Sequence, residues 1–350
     1  MTSSLRVAGN GIASDARSHS FFDTPSRSRS SKEESPRTKR QKIAEDTLAA
    51  IDRGSFLLDG RVVDLRGPNT RTLYYPPTSE LGTWRSTRAP ESACHARIIL
   101  NETTTIAAAR ALFDEVNPSW SSAPFYTVTR VGVLNFASAK KPGGGFKSGA
   151  QAQEESIARS STLYPSLMTD KAQQFYALSR KKDPLGLRRS TYYTHAMIYS
   201  SNILVFRDDA GGWVQPHAID VITCAAVNAG EARREDEYKE DPQYGEADIV
   251  HTMRERMARI LFLFEKEGVR DIVLGSFGTG VFRNDVSAVA NNWAALLVVD
   301  GARFRGSFDR VVFAIIGRET FDTFKAVIES HTPAEDVSSQ LLSPLQLVLG

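Results

Sequence analysis

The chain has 350 residues, enough for one large domain with insertions, and its 41% hydrophobic and 24% charged residues are ordinary for a globular protein. It contains no run of about 18 apolar residues, which argues against a membrane-spanning helix, and its first residues lack the apolar segment of a secretory signal. Residues 1–42 hold 9 Lys and Arg against 4 Asp and Glu, a net charge of +5, which leaves −3 on the remainder. A body of that charge is a poor partner for a nucleic-acid backbone, so only the tail suits direct nucleic-acid binding.

The first 42 residues, ten of them serine, are predicted to form a disordered basic tail. The end of the tail, residues 36–42, fits a nuclear import signal and a plain flexible segment equally well. The protein is therefore expected inside the cell, in the nucleus, the cytoplasm or both. The two cysteines, Cys94 and Cys224, have no zinc-site spacing and suit a reducing compartment.

Order is expected from Ile43, with a helix over 43–53 that ends at Gly54 and a hairpin that turns at Asp59-Gly60. Further strands are predicted at 96–101, 127–136, 197–206, 219–227, 271–275 and 310–316. Further helices are predicted at 104–115, 154–163, 249–266, 286–298 and 319–329. This alternation predicts a layered α/β domain around a central, largely parallel sheet, with 231–248 as a charged surface insertion and the last fifteen residues as a loose tail.

A first glycine loop, Gly143-Gly144-Gly145, follows a predicted strand that ends at Asn135-Phe136. Without Cβ atoms its backbone could approach a ligand closely and present N–H groups to an anion at the carboxyl edge of the sheet. A glycine triplet alone is more often a wide turn. The spacing of a nucleotide triphosphatase loop is missing, since no Lys-Ser follows at the required position.

Glu154 and Glu155 open the next predicted helix. Adjacent helical residues point about 100° apart, so the two carboxyl groups are not expected to bind the same atom. They could instead have separate roles, in which one binds ribose hydroxyls and the other acts on the scissile bond. The alternative is that both are acidic residues that stabilise a helix N-terminus, by about 0.3–1 kcal/mol each. The spacing alone favours this alternative.

A second glycine loop, Ser276–Gly280, follows a short predicted strand. The dinucleotide fingerprint fails here because Arg283 stands where the third glycine belongs. A second phosphate loop is the better interpretation, in which both loops grip a diphosphate, Ser276 and Thr279 add hydroxyl donors and Phe282 offers a flat face to a ribose. Phe282 could also be a core anchor.

The stretch LNFASAKKPGGGFKSGAQAQEE, in which seven residues separate the glycine triplet from Gln153-Glu154-Glu155, resembles the signature of poly(ADP-ribose) glycohydrolases of the microbial type. The second loop and the blocks at 191–213 and 221–230 are similar to the same family, so the likeness spans roughly 43–330. The resemblance implies a three-layer α/β/α macrodomain-like sandwich with a mixed, largely parallel sheet and an N-terminal helical extension. It implies a catalytic domain over 43–335 and a tail over 336–350.

The same resemblance implies that Glu155 is the catalytic residue and that Glu154 supports the ribose. The resemblance therefore favours a functional role for the two glutamates, whereas the spacing alone favours two acidic residues that stabilise a helix N-terminus. The residues that it implies for substrate binding lie on the strand end, the two loops and the helix start: Asn135, Gly143, Gly144, Gly145, Gln153, Ser276, Phe277, Gly278, Thr279, Gly280, Val281 and Phe282.

Four positions depart from the expected family pattern. Lys141 stands where asparagine is common, Val227 where proline is common, and Phe277 and Thr279 where tryptophan and cysteine are frequent. The departures concern substrate preference and turnover more than the fold. Two alternatives stay open: a hydrolase of single ADP-ribose units on proteins, and a reader that binds ADP-ribose without cleaving it.

No metal and no cofactor are expected, because the sequence has no strong metal constellation. His195 and His217 stand without a Ser or Cys nucleophile motif and are interpreted as structural or surface residues. The expected partners are poly(ADP-ribose) or ADP-ribosylated proteins, without a membrane, and the chain is expected to be a monomer.

Overall fold

A computed structural model describes residues 34–66, 70–90, 95–120, 128–180 and 190–332, and those from Ser35 onward belong to one compact unit. Several predictions concern residues outside these ranges: the tails at 1–33 and 333–350, Cys94, and the start of the strand at Thr127. Within these ranges no helix has the length and apolar character needed to cross a membrane.

The described part of the chain contains nine strands. They are β1 Ser55–Leu58, β2 Arg61–Asp64, β3 Thr72–Tyr75, β4 Arg97–Glu102, β5 Val131–Phe136, β6 Met197–Arg207, β7 Trp213–Cys224, β8 Asp271–Leu274 and β9 Arg310–Ile315. Strands β1 and β2 form a separate antiparallel hairpin, and the other seven form one sheet in the order β3-β6-β7-β5-β8-β9-β4. The pairs on the β3 side are antiparallel and the four pairs from β7 to β4 are parallel, which confirms the mixed, largely parallel sheet.

The same residues form ten α-helices. They are α1 Pro36–Arg53, α2 Thr105–Val116, α3 Gln153–Ser160, α4 Leu163–Leu167, α5 Asp170–Arg180, α6 Ala229–Ala232, α7 Asp236–Glu240, α8 Pro242–Lys266, α9 Val286–Leu297 and α10 Arg318–His331. Alternate sheet residues point to opposite faces. On one face Leu134 and Phe313 pack with α8, α9 and α10, and on the other Val133 and Val312 pack with α2 to α5. The three-layer sandwich is confirmed.

The first helix begins earlier than the sequence predicted. Residues 36–42 were assigned to a disordered tail, but α1 starts at Pro36, where the Ser35 side chain caps the Thr38 N–H and proline occupies the first turn. Two basic side chains of this segment donate to the turn after the first glycine loop: Arg37 to the Ser148 carbonyl and Arg40 to the Gly149 carbonyl. Tertiary contacts therefore order a segment whose composition predicted disorder.

Two other regions differ from the predictions. Strand β7 begins at Trp213 rather than Ile219 and ends at Cys224 rather than Val227, because the turn at 208–212 brings the chain back antiparallel to β6. The predicted insertion at 231–248 is largely helical, since α6, α7 and the first turns of α8 occupy it. An ion pair between Arg233 and Glu246 joins these helices at 2.5 Å.

The strand order explains where a ligand would bind. Strands β7, β5, β8 and β9 are parallel neighbours, so their carboxyl ends lie at one edge of the sheet. The first glycine loop follows β5 and the second follows β8, its direct neighbour. Two loops that are more than 100 residues apart in sequence therefore leave the sheet side by side.

Candidate active site

One cavity of about 630 Å³, the catalytic cleft, lies at this edge of the sheet. Gly144 and Gly145 of the first loop, the whole of 276–282, and both glutamates line it. A volume of this size falls within the range of about 300–1,000 Å³ that is usual for sites of small ligands. The two predicted loops and the predicted carboxylates are therefore brought together.

Glu155 is anchored at the rim of the first loop. Its Oε1 accepts a hydrogen bond from the Gly145 N–H at 2.9 Å. Its Oε2 has no hydrogen-bond donor among the residues that the structure describes. One oxygen thus fixes the carboxyl group while the other is left to the cleft.

Glu154 lies deeper and is held on both oxygens. Its Oε2 accepts from the Ser138 N–H at 2.7 Å and its Oε1 from the Asn135 amide at 3.4 Å. Burial raises the pKa of Glu154 to about 8, an effect that the nearby Glu155 reinforces and the hydrogen bond from Ser138 opposes. Glu154 is therefore protonated at neutral pH.

Gly144 explains why the loop needs glycine. Its φ of +59° lies in the left-handed region, and a Cβ there would stand 2.3 Å from Glu155 Oε1 and 3.1 Å from Glu154 Oε2. The sequence suggested that the adjacent glutamates would diverge, but both carboxyl groups approach this glycine. The glycine triplet is therefore required for close approach of the carboxylates to the backbone.

The second loop is rich in unused donors. The N–H groups of Gly278, Gly280, Val281 and Phe282 find no acceptor in the part of the chain that the structure describes. Gly278 has a φ of +79°, and a Cβ there would stand 2.4 Å from Ala226. A loop that lines a cleft and has several N–H groups without protein acceptors is suited to bind an anion.

Several predicted binding residues lie beneath the cleft rather than in its wall. Asn135 is fully buried and donates to Glu154 and to the Thr223 hydroxyl, and Gly143 is buried against Phe146. Gln153 reaches the cleft, but its amide accepts from Phe136 N and donates to the Leu134 carbonyl, so it ties α3 to β5. Asn135 thus positions the Glu154 carboxyl group, and Gln153 fixes the start of the helix that carries both glutamates.

In the second loop Phe277 is expected near the substrate, yet its side chain is buried, and its ring packs at a tilt against the Phe136 ring with the centroids 5.5 Å apart. The Thr279 hydroxyl donates to the Ser276 carbonyl of its own loop. Val281 is 83% exposed, and Phe282 is half-buried at the cleft wall.

Sequence reasoning missed Tyr193. This residue adopts φ +53°, lines the cleft and places its ring 5.8 Å from the Phe282 ring. A left-handed conformation is unusual for a bulky residue and is often found at ligand sites. The sequence does show two adjacent tyrosines, Tyr192 and Tyr193, in a stretch similar to the family. Nothing in the pattern indicates which of the two lines the cleft.

Neither His195 nor His217 lines the cleft. Burial lowers the pKa of His195 and of His217 to about 3, and each has one ring nitrogen without a partner in the described residues. Both are therefore neutral at ordinary pH. The described residues contain no group of three or more His, Cys, Asp or Glu arranged to hold a metal.

The sandwich and its glycine-lined cleft define a macrodomain-like α/β protein. The family model described as microbial-type PARG, catalytic domain, matches residues 44–208. The crystal structure of poly(ADP-ribose) glycohydrolase from Thermomonospora curvata is 36% identical, with a TM-score of 0.67 over 84% of this chain and 99% of that one. The same enzyme bound to the inhibitor ADP-HPD is 36% identical, with a TM-score of 0.65 over 83% and 99%.

The poly(ADP-ribose) glycohydrolase from Deinococcus radiodurans in complex with ADP-ribose is 33% identical, with a TM-score of 0.59 over 74% of this chain and 94% of that one. A search of the curated proteins found no match. The chain belongs to the microbial-type poly(ADP-ribose) glycohydrolase family.

A pH dependence of stability follows from Glu154. The unfolded chain releases this proton near the ordinary pKa of 4.5, whereas the folded protein keeps it to about pH 8. The stabilising contribution is full below pH 4.5 and is lost as the pH rises to about 8. We expect the free energy of unfolding of the wild type to fall relative to that of Glu154→Gln over this range, by on the order of a few kcal/mol.

Denaturant titrations of both proteins across this pH range would measure the difference. The variant is the matched control, because it keeps the shape of the side chain and cannot titrate. If the free energies of unfolding of the two proteins changed in parallel with pH, Glu154 would not have the raised pKa.

Proposed function

We propose that the chain hydrolyses the ribose–ribose O-glycosidic bonds of poly(ADP-ribose) and releases ADP-ribose, with Glu155 as general acid and base. The observation that carries the proposal is the Glu155 carboxyl group, anchored by one oxygen to Gly145 and open to the cleft with the other. Such a group can hand a proton to a leaving oxygen and take one from water without moving away from the substrate.

The binding half of the proposal rests on the second loop. Its four free N–H groups suit the diphosphate of the terminal ADP-ribose unit, and Gly144 and Gly145 line the same cleft. Phe282 and Tyr193 would flank the ribose. The protonated Glu154 would hydrogen-bond a ribose hydroxyl and fix the sugar beside Glu155.

The reaction would then run in two proton transfers. Glu155 protonates the oxygen of the departing ribose hydroxyl, and the anomeric carbon acquires oxocarbenium character as the bond breaks. Water attacks that carbon, and the Glu155 carboxylate accepts the proton of the water.

The alternatives use the same cleft. A hydrolase of single ADP-ribose units on proteins would need the same acid, and a reader would need only the loops. The open oxygen of Glu155 favours cleavage over binding alone. Membership of the family favours the polymer over single ADP-ribose units as the substrate.

We further propose that the enzyme acts as a monomer without a metal and that any direct contact with nucleic acid involves its basic N-terminal tail. Its polymer or protein-bound substrates are the expected partners. Use of 36–42 as an import signal would require release of Arg37 and Arg40 from the carbonyls that they bind.

Digestion of purified polymer and of mono-ADP-ribosylated protein by the wild-type chain tests the proposal. We expect free ADP-ribose from the polymer, quantified by chromatography, with much slower release from the modified protein. Release only from the modified protein would establish the mono-ADP-ribose hydrolase. Micromolar binding of ADP-ribose with no release from either substrate would establish the reader.

A further inference from the structure

A second cavity, here called the side cavity, adjoins the catalytic cleft. It has a volume of about 570 Å³ and shares Thr105, Ile316 and the segment 151–153 with the cleft. Gln151, Ala152 and Gln153 immediately precede the two glutamates. A ligand that leaves the cleft past the start of α3 therefore enters the side cavity.

Three cations line the side cavity: Lys39 and Arg40 from α1 and Arg159 from α3. Lys39 is exposed and has no partner in the described residues, and Arg40 and Arg159 donate only to neutral groups of the protein. Burial lowers the pKa of Arg159, and the neighbouring Arg40 lowers it further, against the opposing effect of Glu155. The cations therefore form a cluster without neutralising carboxylates in contact, which an anion would stabilise.

Two acidic residues also line the side cavity, and both already accept hydrogen bonds. Asp208 accepts from the Gly212 N–H at 2.7 Å, and Asp209 accepts from the Thr104 hydroxyl at 2.5 Å. These carboxylates would repel a phosphate and can accept from sugar hydroxyls. The side cavity thus offers cations to a phosphate and carboxylates to a sugar.

Two of the three cations, Lys39 and Arg40, lie in the segment for which the sequence predicts a disordered tail. The family model matches from residue 44, so Lys39 and Arg40 precede the matched range. Their position depends on the docking of α1, in which the Thr47 hydroxyl donates to the Arg159 carbonyl at 2.7 Å.

We propose that the side cavity binds the ADP-ribose unit on the leaving side of the scissile bond, with its diphosphate on Lys39, Arg40 and Arg159. This inference rests on the proposed function, because the leaving oxygen must lie at Glu155 and the chain beyond it must pass the start of α3. Binding there makes the enzyme favour a polymer over a leaving group that carries no diphosphate.

Replacement of Lys39 by glutamate tests the inference. We expect the KM for long, protein-free poly(ADP-ribose) to rise about fivefold at low salt, with kcat and the Kd for ADP-ribose unchanged. We also expect the dependence of KM on salt to become weaker, since one phosphate contact is lost. Hydrolysis of ADP-ribose that carries a neutral aryl leaving group should match that of the wild type.

Lys171→Glu is the matched control, because Lys171 is an exposed helical lysine that lines neither cavity. It makes the same change in net charge and should behave as wild type on both substrates. Equal KM values for the two variants, or an equal loss on the aryl substrate, would overturn the inference. Wild-type protein that cleaves neither substrate would instead refute the proposed function.

Discussion

Replacement of Glu155 by glutamine is expected to slow the release of ADP-ribose from the polymer by a factor of about 10²–10⁴, the usual contribution of a positioned general acid and base. Glutamine keeps the acceptor oxygen that the Gly145 N–H binds but can neither give nor take a proton. Steady-state assays with purified polymer would measure the effect on kcat.

The Kd for ADP-ribose and the unfolding temperature serve as controls for this variant. Both should stay near the wild-type values, because the diphosphate is assigned to the second loop. A variant that cleaves polymer at close to the wild-type rate would show that another group supplies the proton.

Replacement of Gly144 by alanine is expected to lower polymer cleavage by about 10²-fold or more. The new Cβ would stand 2.3 Å from Glu155 Oε1 and 3.1 Å from Glu154 Oε2, so both carboxyl groups must move. Displacement of a reacting group by about 1 Å is enough to cost a factor of this size. The assay is again polymer hydrolysis, beside circular dichroism to confirm folding.

Gly301→Ala separates collision from backbone strain. Gly301 has a φ of +73°, but a Cβ at this position would have no heavy atom within 4 Å, so alanine there adds only strain, about 1 kcal/mol. Activity of Gly144→Ala equal to that of Gly301→Ala would contradict the proposed contact between the loop and the carboxylates.

The layered sheet and the meeting of the two glycine loops could be predicted from sequence. Each loop follows a short apolar strand, and parallel strands present their carboxyl ends at one edge. What the pattern did not contain was the order of the strands, which makes β5 and β8 direct neighbours.

The direction of individual side chains was not predictable in the same way. Asn135 and the Phe277 ring stand in segments that bind ligand according to their pattern, yet both are buried. Asn135 lies on β5, whose two faces are both covered by helices, and in a loop such as that of Phe277 no fixed period relates neighbouring residues. Exposure therefore depends on the packing around each residue.

The N-terminal helix shows a second limit. Composition predicts disorder up to residue 42 because the segment is rich in charged residues and serine. The order at 36–42 comes instead from hydrogen bonds to the backbone carbonyls of residues 148 and 149. Those partners lie more than 100 residues away in sequence. The side cavity, to which this helix contributes Lys39 and Arg40, therefore could not be predicted from the sequence.

A crystal structure of the Glu155→Gln variant with bound ADP-ribose tests the central claim most directly. We expect the diphosphate within about 3 Å of the N–H groups of Gly278, Gly280 and Val281, with the anomeric carbon of the distal ribose beside residue 155. A diphosphate bound outside the two glycine loops, or a distal ribose turned away from residue 155, would contradict it.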